Sequence, residues 1–248
     1  IKGGWGNMVS TSVNIKLFDF QEQAVINLID FTTGSHKQTV IVKSPTGSGK
    51  TIILINYICD YLDKISKDTA FIWLCPGKGD LEEQSRKKMM KFAPTKNAQT
   101  LQDALSSGFA AESTTFINWE MVTKTGNRAI SDSERKNLFD RIAEAHSKHT
   151  KFIIVIDEEH SNNTAKANTI IEGFSASHII RMSATATKNN RFEYYEIDET
   201  EVINAGLITK ALYVNENIVD GEVIDNDYEH LIDLADKKRK RLLIDTQK

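Results

Sequence analysis

Lys43-Ser44-Pro45-Thr46-Gly47-Ser48-Gly49-Lys50-Thr51 carries the residue types that a phosphate cradle needs, at the spacing it needs. Gly47 and Gly49 permit backbone angles and a close approach that a Cβ blocks. Backbone N–H groups of such a turn, around Thr46 to Gly49, face the same anionic group as the positive N-terminus of the helix behind them. Lys50 can reach the β- and γ-phosphates of a nucleotide, and the Thr51 hydroxyl can ligate Mg²⁺. The strict pattern has glycine where this chain has Ser44. The plainer reading is a glycine-rich turn that only connects two elements.

A second cluster is Asp157-Glu158-Glu159-His160. Asp157 can hold the Mg²⁺ that Thr51 touches. Glu158 can orient and deprotonate a water attacking the metal-bound γ-phosphate. An acidic loop on a solvated surface is the alternative. Ser183 and Thr185 are small hydroxyls that can hydrogen-bond His160 or Asp157 and so register the nucleotide. Ser-Ala-Thr is a weak tripeptide by itself and gains weight from following the acidic cluster. Gln21 offers a donor and an acceptor together, which suits an adenine edge; a solvated helix glutamine is its plainer reading.

The elements that must position these residues are legible in the pattern. Phe20, Ala24, Leu28 and Phe31 recur at helical spacing, so an amphipathic helix leads into a first strand over 39–42. A helix over 52–62 follows the glycine-rich turn. Near-continuous apolar runs at 69–75, 151–156 and 177–182 read as buried strands, and 114–118 reads as a further strand. Helices are expected over 80–92, burying Leu81, Met89 and Phe92, and over 131–148, burying Leu138, Phe139, Ile142 and Ala145. The latter opens on a capping box, Ser131 to Glu134. Strands alternating with helices mean a parallel sheet with right-handed crossovers, whose ligands sit at the carboxyl ends of the strands. Each polar cluster begins where a strand ends. Beyond these, 201–205 reads as a short helix stopped by Gly206, 210–214 as a strand and 226–243 as a helix.

At 248 residues the chain suffices for one large or two small domains. Hydrophobic residues are 40% and charged residues 26%, ordinary for a globular protein. The net charge of −3 and pI near 6.1 exclude a basic nucleic-acid domain by bulk charge. A nucleic-acid partner must be held by a local patch or a shared cleft. Cys59 and Cys75 lie in apolar segments and read as reduced core thiols. No run is long enough for a membrane span, and residues 1–5 lack a signal-peptide core, so a cytoplasmic, membrane-free protein is expected.

Taken together the clusters resemble the superfamily 2 helicases and translocases, the DEAD/DEAH-like motors. Ser44 to Thr51 is similar to their motif I, where Ala or Ser often replaces the first glycine. Asp157 to His160 is similar to motif II, and Met182-Ser183-Ala184-Thr185 to motif III. Phe20-Gln21 matches the upstream adenine-contacting motif, and Trp73 to Pro76 resembles motif Ia. Phe116 to Glu120 resembles the strand-end segment that follows. Asn118-Trp119-Glu120 and the tail Glu201 to Ile208 resemble the restriction (Res) subunit of type III restriction–modification enzymes. Glu159 departs from that family's usual Ala or Pro.

The resemblance implies a RecA-like P-loop α/β lobe, three-layered with a mainly parallel sheet, that couples ATP hydrolysis to movement on duplex DNA. Lys50 would bind phosphate, Thr51 and Asp157 magnesium, and Gln21 adenine, with Glu158 the general base. His160, Ser183 and Thr185 would couple hydrolysis to movement. Pro76, Gly77 and Asn118 would touch the nucleic-acid backbone, for which backbone amides and small side chains suffice.

The expected organisation is an arm over 1–16, the first motor lobe over 17–219 and a linker helix over 220–248. The second RecA-like lobe, whose arginines stabilise the transferred phosphoryl group, would lie outside the chain. ATP binding would then be weak and hydrolysis very slow for this chain alone. A modification or specificity subunit is a further implied partner. The basic run Lys237 to Arg241 reads as a solvated helix end, a DNA-phosphate contact or a nuclear signal. The rival functions are an RNA helicase of the same superfamily and a nucleotide-switched regulatory module; a kinase or ring ATPase leaves Ser-Ala-Thr unexplained.

Overall fold

A computed structural model describes residues 13, 15–76, 80–118, 132–157 and 165–209, with 232, 235–237 and 239–240 near the C-terminus; for 132–137 and 165–167 it describes the backbone alone. Residues 1–208 and 209–248 form separate units. In the second, Asp236 pairs with Arg239 and Lys240 on a helical turn. Gly77, Glu158, Glu159, His160, the capping box at Ser131 and the strand expected over 210–214 lie outside the described residues.

The first unit is built on one seven-stranded sheet, β3-β4-β2-β5-β6-β1-β7. The strands are β1 (Thr39–Lys43), β2 (Thr69–Cys75), β3 (Asn97–Thr100), β4 (Ser113–Asn118), β5 (Lys151–Asp157), β6 (His178–Ser183) and β7 (Glu193–Glu196). Every pairing is parallel, as strands joined through helices require. The helices are α1 (Asp19–Gly34), α2 (Lys50–Lys64), α3 (Leu81–Phe92), α4 (Leu101–Ser107), α5 (Asp132–Ser147), α6 (Ala165–Gly173) and α7 (Glu199–Asn204).

Alternation along the central strands feeds two cores. Phe71, Trp73 and Cys75 of β2, with Ile153 and Val155 of β5, pack against α1, α2, Met89 of α3 and Val202 of α7. Ala70, Ile72 and Leu74, with Phe152, Ile154 and Ile156, face α4, α5 and α6. A strand covered on both faces has no polar face to show, so its sequence reads as an unbroken apolar run. The result is the expected three-layer arrangement. No described helix is long and apolar enough to cross a membrane.

Two expected core residues are exposed. Leu81 is 37% exposed, because it opens α3 at the carboxyl edge of the sheet, beyond the last core layer. Phe139 is 40% exposed while Leu138, Ile142 and Ala145 of the same helix are buried. Its ring lies across Gly173 at the end of α6, where a Cβ would collide with it.

Candidate nucleotide site at the strand ends

The strand order brings the sequence clusters together. β5, β6 and β1 are adjacent, so Asp157, Ser183 and the glycine-rich loop leave the sheet from three neighbouring carboxyl ends. The register puts them at one height: Lys43 pairs with Ser183 and Asp157 with Met182. A parallel sheet gathers ligand-binding groups in this way.

The loop runs from the end of β1 into α2. Gly47 has φ +87° and Gly49 φ +84°, conformations that favour glycine. A Cβ on Gly49 would lie 2.6 Å from Gln21 Nε2, and one on Gly47 2.6 Å from Ile208 Cγ2. Thr46 and Gly47 form the exposed tip, whereas Ser44 and Ser48 are fully buried. Lys50 is the first residue of α2 and Thr51 the second, at the positive end of a 15-residue helix. A tight glycine turn, a lysine and a hydroxyl at a helix N-terminus and a carboxylate two strands away fit a nucleotide phosphate chain with Mg²⁺.

Internal bonds hold the loop to its surroundings. Ser44 N–H donates to the Ser183 carbonyl at 3.0 Å, and Ser48 N–H to the Pro45 carbonyl at 3.2 Å. Gln21 is only 4% exposed; its Nε2 donates to the Ser48 carbonyl at 2.9 Å, and its Oε1 accepts from Phe18 N–H at 3.1 Å. The residue expected to read a base therefore also fixes the phosphate loop to the start of α1. Ser183 is buried, and its hydroxyl accepts from Thr185 N–H at 3.3 Å, while Thr185 is exposed.

Pro76 and Asn118, expected at nucleic acid, follow and end β2 and β4, the next strands along the same edge. One feature there escaped sequence reasoning, while Cys75 is the buried, reduced thiol expected. Glu82 in the first turn of α3 accepts from the Asn118 backbone N–H, and burial raises its carboxyl above the usual range. Burial, then the charge of Asp157, pushes the Cys75 thiol well up, so it stays protonated. The Ile208 contact with Gly47 also escaped sequence reasoning, because the two residues lie far apart in sequence.

The family model described as "Type III restriction enzyme, res subunit" matches residues 14–188, well over half of the chain. No curated protein matches it. Among solved structures, the Sulfolobus solfataricus SWI2/SNF2 ATPase core in complex with dsDNA is similar, with TM-score 0.53 and 14% identity. That likeness, one of fold, covers 74% of this chain and 36% of that one, so the chain spans about a third of its length. Weaker likenesses are to the UvsW helicase of bacteriophage T4 (TM-score 0.48, 17% identity, 73% of this chain, 60% of that). Another is to a nuclease-deletion mutant of the Type ISP restriction-modification enzyme LlaGI (TM-score 0.49, 13% identity, 78% and 21%).

Proposed function

We infer what this chain does from the family to which it belongs, that of the type III restriction enzyme res subunit, a family of superfamily 2 helicase-like ATPase motors. Within that family we read the chain as an ATP-binding motor lobe that couples hydrolysis of MgATP to movement on duplex DNA. The observation that carries the reading is the meeting of the glycine-rich loop, Asp157 and Ser183 at three adjacent strand ends.

In this reading the amides of Thr46, Gly47 and Gly49 and the α2 N-terminus bind the phosphates, Ser48 shapes the turn through its own bonds, and the Lys50 ammonium spans the β- and γ-phosphates. Thr51 and Asp157 would hold Mg²⁺, which would neutralise charge on the phosphate oxygens. Glu158 takes the proton of the attacking water. The water oxygen bonds to the γ-phosphorus as the bond to the β,γ-bridging oxygen breaks, and ADP and phosphate leave. An amide has two N–H groups and two oxygen lone pairs, so Gln21 can hold Ser48 and Phe18 and still meet an adenine edge.

His160, Ser183 and Thr185 relay the state of the γ-phosphate, and Pro76, Gly77 and Asn118 meet a nucleic-acid backbone. Duplex DNA is supported by the restriction family and by the dsDNA in the SWI2/SNF2 ATPase core structure. Glu158→Gln tests the assignment: it should retain ATP and lose turnover. Unchanged turnover would reject the assigned base.

A further inference from the structure

Ser44 occupies the position where a strict phosphate loop has glycine, and the fold gives its hydroxyl a partner. The Oγ atoms of Ser44 and Ser48 lie 2.6 Å apart, and both side chains are fully buried. The Ser48 N–H donates to Pro45 and its carbonyl accepts from Gln21. Each polar group of Ser48 thus has a partner within the protein. Ser44 is itself hung from the Ser183 carbonyl through its N–H. Between these two anchored feet stand Pro45, Thr46 and Gly47, the exposed arch of the loop.

We propose that the Ser44–Ser48 hydroxyl pair is a brace that holds the arch in its phosphate-binding shape, both serines acting as positioning residues. The proposal rests on the nucleotide-binding reading above. A short arch tied at both feet has little conformational freedom left to lose when an anion binds. Without the Ser44 hydroxyl, the Ser48 hydroxyl is buried with no partner for its bond, and the arch loses its cross-tie. The bond joins residues of the same loop, so its loss falls on nucleotide affinity more than on the chemical step.

The test is MgADP binding by this chain and its variants, each first shown folded by circular dichroism at the temperature used. Ser44→Ala and Ser48→Ala should each weaken binding roughly fivefold, the worth of one hydrogen bond. The double variant should bind no more weakly than either single one, because both remove the same bond. Ser44→Gly, although it restores the strict pattern, should weaken binding at least as much as Ser44→Ala, since glycine also frees the backbone. In steady-state hydrolysis the loss should appear in KM and not in kcat.

Wild-type affinity in Ser44→Ala or Ser48→Ala would overturn the brace and leave the motor reading standing. So would a double variant whose loss is the product of the two single losses. Failure of the wild-type chain to bind any nucleotide would instead overturn the motor reading, and the brace with it. Should Ser44→Ala fail to fold, Ser48→Ala decides.

Discussion

The backbone N–H of Ser44 donates to the carbonyl of Ser183 at 3.0 Å, so the first residue of the phosphate loop hangs from the end of the neighbouring strand. Ser183 in turn receives the Thr185 N–H on its hydroxyl. On the proposed reading, a displacement of the loop on nucleotide binding would pass to the β6 strand end through this main-chain bond.

Replacing Ser183 with Ala keeps the carbonyl anchor but removes the hydroxyl that accepts from the Thr185 N–H. Stimulation of ATP hydrolysis by nucleic acid should fall much further than ATP affinity. Parallel binding and hydrolysis assays measure the two; equal losses in both, or none, would contradict the relay.

Gly49→Ala should cost about 1–3 kcal/mol of stability, from a left-handed backbone without glycine plus disturbance of one hydrogen bond. The Cβ would press on Gln21 Nε2, the group that holds the Ser48 carbonyl. Urea unfolding reads the stability, and nucleotide affinity should fall with it. A variant as stable as the wild type would mean that the loop tolerates a side chain there.

Trp73 is fully buried in β2 and stacks on Phe116 of β4 at 5.2 Å between centroids. Trp73→Ala should cost about 3–5 kcal/mol, the usual range for emptying such a site. Met90, 47% exposed on α3, serves as the control: its replacement by Ala should stay within about 0.5 kcal/mol. Comparable losses at the two sites would contradict the assigned core.

Alkaline pH should destabilise the fold. Burial raises Tyr57 well above its ordinary 10.0, and it raises Cys75 above 9.0. Both groups are neutral when protonated, and both release their protons first in the unfolded chain. Stability is therefore full below the ordinary values and is lost as pH rises past them, by up to about 1.4 kcal/mol per pH unit per group. Urea midpoints between about pH 8 and about pH 10.5 measure the fall, and Tyr57→Phe should flatten its upper part. A midpoint independent of pH over that range would contradict the burial of both groups.

The parts of the fold that were legible in the sequence share one physical cause. Strands β2, β5 and β6 are covered on both faces, so each is an apolar run that ends where its chemistry begins. The loop, Asp157 and Ser183 were found because they stand at such ends. β3 and β7 were not read as strands: Asn97-Ala98-Gln99-Thr100 and Glu193-Tyr194-Tyr195-Glu196 are short, polar edge strands with little burial. The Ser44 brace was hidden for another reason. Serine is a common occupant of that position in the superfamily the chain resembles, so its type carries no signal, and the partner of its hydroxyl shows only in the fold. The Ile208 contact with Gly47 joins residues distant in sequence and leaves no local pattern to read.

A nucleic-acid-stimulated ATPase is tested by ATP hydrolysis measured without nucleic acid and with duplex DNA, single-stranded DNA or RNA in turn. Wild-type protein should show slow basal hydrolysis that duplex DNA raises most, and Glu158→Gln should show none under any condition. A rate unchanged by all of the nucleic acids would contradict the motor account; a response to RNA alone would contradict the assignment to DNA.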